Sequence, residues 1–174
     1  MTTDELQTDR LVLRRFTPAD AEPFAELAGD RAISDTMISI PHPLPEDFAD
    51  QWVRADRPSR FAVCDRATET LVGSAELREL DPEHSQIELS FWIGRPYWGR
   101  GYATEAAAAL VRYAFGTLDI NRIYAFHMAR NPASGRVLSK LGMRQEGLLR
   151  QRVRKWGRFE DTLIWAIVRD DLSS

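Results

Sequence analysis

Residues 95–106 read RPYWGRGYATEA. Two glycines, Gly99 and Gly101, follow an apolar run, and an alanine-rich helical segment begins at once. The start of such a helix leaves several backbone N–H groups without helical partners. Its dipole favours negative charge, and glycine removes the Cβ where a ligand approaches. Strand, glycine turn and helix in that order form an anion cradle, most naturally for phosphate. It is not a P-loop, because no lysine follows the second glycine. Nor is it a dinucleotide fingerprint: Thr104 stands where GxGxxG or GxGxxA needs glycine or alanine, and the turn does not open a βαβ unit.

Outward from this turn, the pattern alternates strands and helices. Residues 10–16 (RLVLRRF) alternate apolar and basic, with Leu11, Leu13 and Phe16 as core candidates, and read as a strand. Thr17-Pro18 predicts an N-cap and first helical position, with the helix running to about Ala28 and Gly29. Pro41, Pro43 and Pro45 make an extended loop. A second helix is expected from near Glu46 to before Pro58. Residues 60–65, 71–80 and 86–94 read as three strands of an antiparallel meander. After the alanine-rich helix come a strand at 121–128, a short helix in NPASGRVLSKLGM, and a hairpin around Trp156-Gly157-Arg158. The whole chain, residues 1–174, reads as a single α/β domain with a mixed sheet of about seven strands and about four helices.

Composition narrows the class. The net charge of −3 gives no global field for nucleic acid. No run of 18 apolar residues spans a membrane. The opening MTTDELQTDR is acidic and polar, unlike a signal peptide. A lone cysteine, Cys64, sits in an apolar run and reads as a core residue in a reducing, cytoplasmic compartment. The histidines carry no metal-ligand spacing, so no metal is expected. His42 and His84 fall in loops, and His127 reads as a structural histidine.

The segment YWGRGYATEA resembles the coenzyme A pyrophosphate loop of the GCN5-related N-acetyltransferases (GNAT), written [Q/R]xxGx[G/A]. Trp98 stands where that motif usually carries glutamine or arginine. The same departure is common in the RimJ/RimL-like branch, which acetylates protein N-termini. TDRLVLRRFTPADAEPFAEL, ELSFWIGRPYWGRGYATEA, NPASGRVLSKLGM and KWGRFEDTLIWAIVRDD also resemble that branch, in the same order. The resemblance implies a GNAT fold and a cytoplasmic acetyl-CoA-dependent N-acetyltransferase acting on a primary amine. It also makes a homodimer plausible. The loop would be Trp98, Gly99, Arg100, Gly101, Tyr102 and Ala103, with the N–H groups of residues 99–104 wrapping the pyrophosphate. The strands at 86–94 and 121–128 would splay around the pantetheine arm, held by the backbone of Phe91, Trp92 and Ile93 and by Asn131.

The chemistry needs a proton acceptor, because amines are mostly protonated near neutrality. Glu88 is the candidate base; a positioning role and a solvated strand carboxylate are its other readings. The family's α-helical tyrosine, in N-x-x-[A/S]-x-x-x-Y, falls here on Leu138, so that donor is absent. Ser134 then stabilises the departing thiolate, or serves only in the first turn of its helix. Asn131 is likewise a pantetheine ligand, an N-cap, or both. Glu105 reads as structural. The basic run RQRVRKWGR is a solvated ribbon, or a site for an acidic acceptor or the coenzyme A 3′-phosphate. The proline loop and second helix are expected to border the acceptor. Asp35, Glu46 and Asp47 there raise the possibility of a cationic acceptor. Two other function classes stay open: a non-catalytic acyl-CoA sensing module, and an interaction protein on a dead cleft.

Overall fold

The computed structural model describes residues 5–173. Residues 1–4, the first part of the opening read above, lie outside it. The chain runs β1 (Glu5–Gln7), β2 (Leu11–Arg14), a 3-10 turn (Pro18–Asp20), α1 (Ala21–Ala28), α2 (Arg31–Ser34) and α3 (Phe48–Arg54). The meander follows as β3 (Arg60–Asp65), β4 (Leu71–Asp81) and β5 (Gln86–Ile93). Then come α4 (Tyr102–Thr117), β6 (Arg122–Met128), α5 (Pro132–Lys140), β7 (Arg144–Lys155) and β8 (Arg158–Val168).

One sheet carries all eight strands in the order β1-β2-β3-β4-β5-β6-β8-β7. Every pairing is antiparallel except β5 with β6. The strand beyond the seven expected is β1, three residues that add to the edge of β2. The helix beyond the four expected is α2, a single turn capped by Asp30, whose Oδ1 accepts from the Ala32 N–H at 2.8 Å. Neither is long enough to show a periodicity.

Helices cover both faces of the sheet. On one, α4 packs Ala106, Ala107, Leu110 and Ala114 onto Leu11, Leu13, Ile87 and Leu89. Alanine is both the best helix former and the smallest side chain that still buries, so this helix lies close to the sheet. On the other face, α1, α2 and α3 enclose Phe24, Ile33, Val53 and Trp92. The alternation of β5 is therefore split: Trp92, opposite in parity to Ile87 and Leu89, is just as buried as they are. Cys64 lies in this second core, where burial pushes its thiol up to about 11, so it stays protonated and inert.

Candidate active site

β5 and β6 pair over three residues only, Gln86↔Arg122, Ile87↔Ile123 and Glu88↔Tyr124. Beyond Glu88, β5 continues paired to β4 and β6 continues paired to β8. The two strands diverge, and a cavity of about 570 Å³ occupies the gap. The Gly94 N–H donates to the Val72 carbonyl at 2.8 Å. Opposed residues of an antiparallel ladder alternate in hydrogen bonding. The backbone groups of Phe91 and Ile93 therefore turn into the gap, and those of Trp92 turn to β4. Trp92 also lines the cavity, but its backbone hydrogen-bonding groups are turned to β4 and its indole sits edge-on to Phe24 at 5.6 Å. Trp98 Nε1 donates to the Ile93 carbonyl at 2.6 Å and fixes one wall of the opening.

At the far end of the gap, Gly99 (φ +75°) and Gly101 (φ +79°) are both left-handed. Other L-residues adopt that conformation at a cost of roughly 1–2 kcal/mol. A Cβ on Gly99 would meet no atom within 4 Å. A Cβ on Gly101 would meet only Arg10 Nη2, at 3.4 Å, so backbone geometry is what selects glycine at both positions. Among the described residues, the N–H groups of residues 99–104 donate to no protein atom; the first helical bond of α4 is Glu105 N–H to the Gly101 carbonyl. Gly99, Gly101, Ala103 and Thr104 line the cavity. Tyr102 lines it too, while its hydroxyl donates to Asp65 at 2.7 Å and its ring lies in the core. Arg100 does not line the cavity; its carbonyl accepts from Arg10 at 2.8 Å.

Glu105 is structural, as its place in the first turn suggests. It accepts from the Thr8 hydroxyl, the Arg10 N–H and Arg10 Nε at 2.6–2.8 Å, tying α4 to the β1–β2 turn. Burial pushes its carboxyl up, but these donors outweigh that and hold it below the usual range.

Glu88 lies at the vertex where β5 and β6 part, 7% exposed. This is not a solvated carboxylate. Arg78, directly opposite on β4, donates from Nη2 to Glu88 Oε1 at 2.6 Å. Arg60 holds Glu76 at 2.5 Å, two residues from Arg78 along β4. Glu88 Oε2 has no hydrogen-bond partner among the described residues, and the residue lines the cavity.

Across the gap, Asn131 is the N-cap of α5, yet its side chain makes no capping bond. It donates instead to Ser134 Oγ at 2.9 Å. That occupies an acceptor position of the hydroxyl and leaves its hydrogen free to donate. Leu138, at the position of the family tyrosine, is 1% exposed. His127 is fixed as one neutral tautomer. Nδ1–H donates to the Met128 carbonyl at 2.8 Å and Nε2 accepts from Trp165 Nε1 at 3.0 Å. Burial holds its pKa below the ordinary value. A Cβ on Gly135 would reach within 2.9 Å of Nε2, so α5 needs glycine to sit over this ring.

The remaining wall is only partly the one expected: Ser39 of the proline loop, residues 39–45, belongs to it, and the expected second helix, α3, does not. Ile33, Thr36, Met37, Ile38 and Ser39, from α2 and the segment after it, line the cavity, whereas α3 does not. Lys155, inside the basic run, pins this segment. It is 7% exposed and donates to the carbonyls of Met37 and Ile40 at 2.7 and 3.0 Å. Burial lowers its pKa. Its place among arginines gave no sign of an inward role. Asp35 is held by Arg130 and Trp156 at 2.9 and 2.7 Å, and neither it nor Glu46 nor Asp47 lines the cavity.

Comparison with known proteins agrees with this architecture. Residues 10–144 match the family described as the acetyltransferase (GNAT) domain, and the chain belongs to that family. A protein of Bacillus subtilis (strain 168), the uncharacterized N-acetyltransferase YoaA, is 33% identical over 171 residues, covering 94% of this chain and 96% of that protein. A GNAT-family acetyltransferase from Bacillus anthracis superposes with a TM-score of 0.87 at 26% identity, over 95% and 99% of the two chains. The spermidine N-acetyltransferase of Vibrio cholerae, solved with CoA and spermine, superposes with a TM-score of 0.82 over 96% and 100% of the chains. Its 23% identity speaks for the fold alone. The protein is an N-acetyltransferase of the GNAT family. Among the described residues no helix is long and apolar enough to cross a membrane.

Proposed function

We propose that this enzyme moves an acetyl group from acetyl-CoA to a primary amine by direct attack with both substrates bound. The observation that carries the reading is the run of unpartnered N–H groups at residues 99–104, opening on the cavity that also holds Glu88 and Ser134. Such a run suits a pyrophosphate, which brings negative charge and several acceptor oxygens. Phe91 and Ile93 offer backbone groups along the gap for the pantetheine amides, and Asn131 faces them. Acetyl-CoA supplies an acetyl group activated as a thioester.

The protein's own residues supply the rest. Glu88 takes the proton that the amine sheds, directly or through water, on Oε2, while Arg78 holds Oε1 and orients the carboxylate. Ser134 donates its hydroxyl hydrogen to the departing sulfur, with Asn131 fixing the hydroxyl. A serine is a weak acid, so it stabilises the thiolate rather than fully protonating it. The resemblance to the RimJ/RimL-like branch makes a protein α-amine one acceptor class, and a small-molecule amine is the other.

Calorimetric titration with acetyl-CoA, with NAD as control, is the first test, followed by CoA release with added amines. Micromolar binding of acetyl-CoA with silence toward NAD supports the cleft. A folded protein that binds no acetyl-CoA refutes the reading.

A further inference from the structure

The vertex of the cavity is cationic in a way that the transfer chemistry leaves unused. β7 advances from Leu149 to Val153 while β8 moves only from Thr162 to Glu160, so the strand bulges. Within the bulge Gln151 is left-handed (φ +52°), and its N–H donates to Asp161 at 2.8 Å. Bulges beside active sites re-aim side chains. Here the bulge delivers Arg152 over the Phe126 ring, with Cζ 3.8 Å from the centroid. Arg152 lines the cavity and has no ion pair among the described residues. Phe126 is two residues beyond Tyr124, the partner of Glu88 in the ladder, so the guanidinium sits at the vertex and not at the glycine turn.

The rest of the lining points the same way. Glu88 is the one carboxylate among the described lining residues, and Arg78 already neutralises it. Arg78 and Thr162 line the same cavity, and their buried Nε and Oγ1 atoms have no hydrogen-bond partner among the described residues. A purely cationic acceptor meets a free guanidinium there and no free carboxylate. A guanidinium stacked on a ring keeps its edge donors aligned for an anion.

We infer that the acceptor is a primary amine that also carries an anionic group, a carboxylate or a phosphate, and that Arg152 binds that group. This rests on the transfer reading above.

Matched acceptors test it. L-methionine is compared with L-methioninamide, and O-phosphoethanolamine with ethanolamine, with spermidine as the wholly cationic probe. CoA release should be at least about tenfold more efficient in kcat/KM for the anionic member of one pair, and that pair tells carboxylate from phosphate. Arg152→Gln should lose most of the preference, chiefly through KM. Equal or better use of the neutral partners or spermidine by the wild type overturns the inference. So does a variant that keeps the preference, or one that loses acetyl-CoA affinity instead, which assigns Arg152 to the coenzyme. The same probes titrated calorimetrically into the protein–CoA complex separate the two readings. Anionic probes that bind without any CoA release support the anion site and sink acetyl transfer. If no probe binds, the inference falls, whatever becomes of the transfer reading.

Discussion

Arg78 and Glu88 face each other across the β4–β5 ladder with 2.6 Å between Nη2 and Oε1. The pair is the last link of a row that crosses three strands, from Arg60 on β3 through Glu76 and Arg78 on β4 to Glu88 on β5. Cross-strand charge pairs set side-chain direction as well as stability. If Glu88 is the base, Glu88→Gln should lower kcat by about 10²–10³-fold while acetyl-CoA still binds. Arg78→Met should also lower kcat, because it frees the carboxylate to turn. Steady-state kinetics and calorimetry on the two variants check this; unchanged kcat in Glu88→Gln removes the base assignment.

Gly101→Glu should abolish measurable acetyl-CoA binding and spare the fold. The variant forces a side chain into φ +79° and adds a negative charge to the turn, with the new Cβ 3.4 Å from Arg10 Nη2. The backbone cost of roughly 1–2 kcal/mol is small against a typical total of about 5–15 kcal/mol. Calorimetry with circular dichroism reads both arms.

Ser134→Ala should reduce kcat by about 10- to 100-fold with little change in KM for acetyl-CoA, since one hydrogen bond to a charged group is worth about 1.5–3 kcal/mol. Asn131→Ala should reproduce part of this effect by freeing the Ser134 hydroxyl. A double variant no worse than Ser134→Ala shows that the two act as a unit.

Lys155→Met should raise the KM for the acceptor and leave acetyl-CoA affinity unaltered. It strips two carbonyls, those of Met37 and Ile40, of their donor. Stability should also fall by about 1–3 kcal/mol, read from urea unfolding.

Stability should decline as the pH drops below about 6.5, and His127 accounts for part of the decline. Its native pKa is depressed by burial. The unfolded chain therefore takes up a proton before the native protein does, so its contribution is complete above about pH 6.5 and is lost as pH falls towards the native value. His127→Gln should show a smaller loss between pH 7.5 and 5.5. An equal loss in both proteins assigns the dependence elsewhere.

The glycine turn, the meander and the alanine-rich helix were legible because each follows from local rules: φ, alternation and propensity. Leu11 and Leu13 are fully buried, as their alternation suggests. Glu88 and Trp92 share a parity on β5, and no local rule tells that one meets a cavity and the other a second core. That division depends on where three short helices dock. Lys155 was hidden for a related reason. In a run of arginines it reads as solvated, and its partners lie 115 and 118 residues away in the chain. Arg152 depended on a bulge, which only pairing with β8 creates.

The hairpin of β7 and β8 reaches back to the first third of the chain, through Lys155 to Met37 and Ile40, and through Trp156 to Asp35. During synthesis the segment after α2 therefore waits without these bonds while more than a hundred residues are translated. Every element of the glycine turn and the β5–β6 gap has been made before the hairpin emerges. A nascent chain halted near residue 144 holds the parts of the proposed coenzyme site but lacks the Lys155 and Trp156 bonds to the wall opposite it. Stalled-ribosome complexes of increasing length should gain protease protection at residues 35–40 only once Trp156 has cleared the exit tunnel.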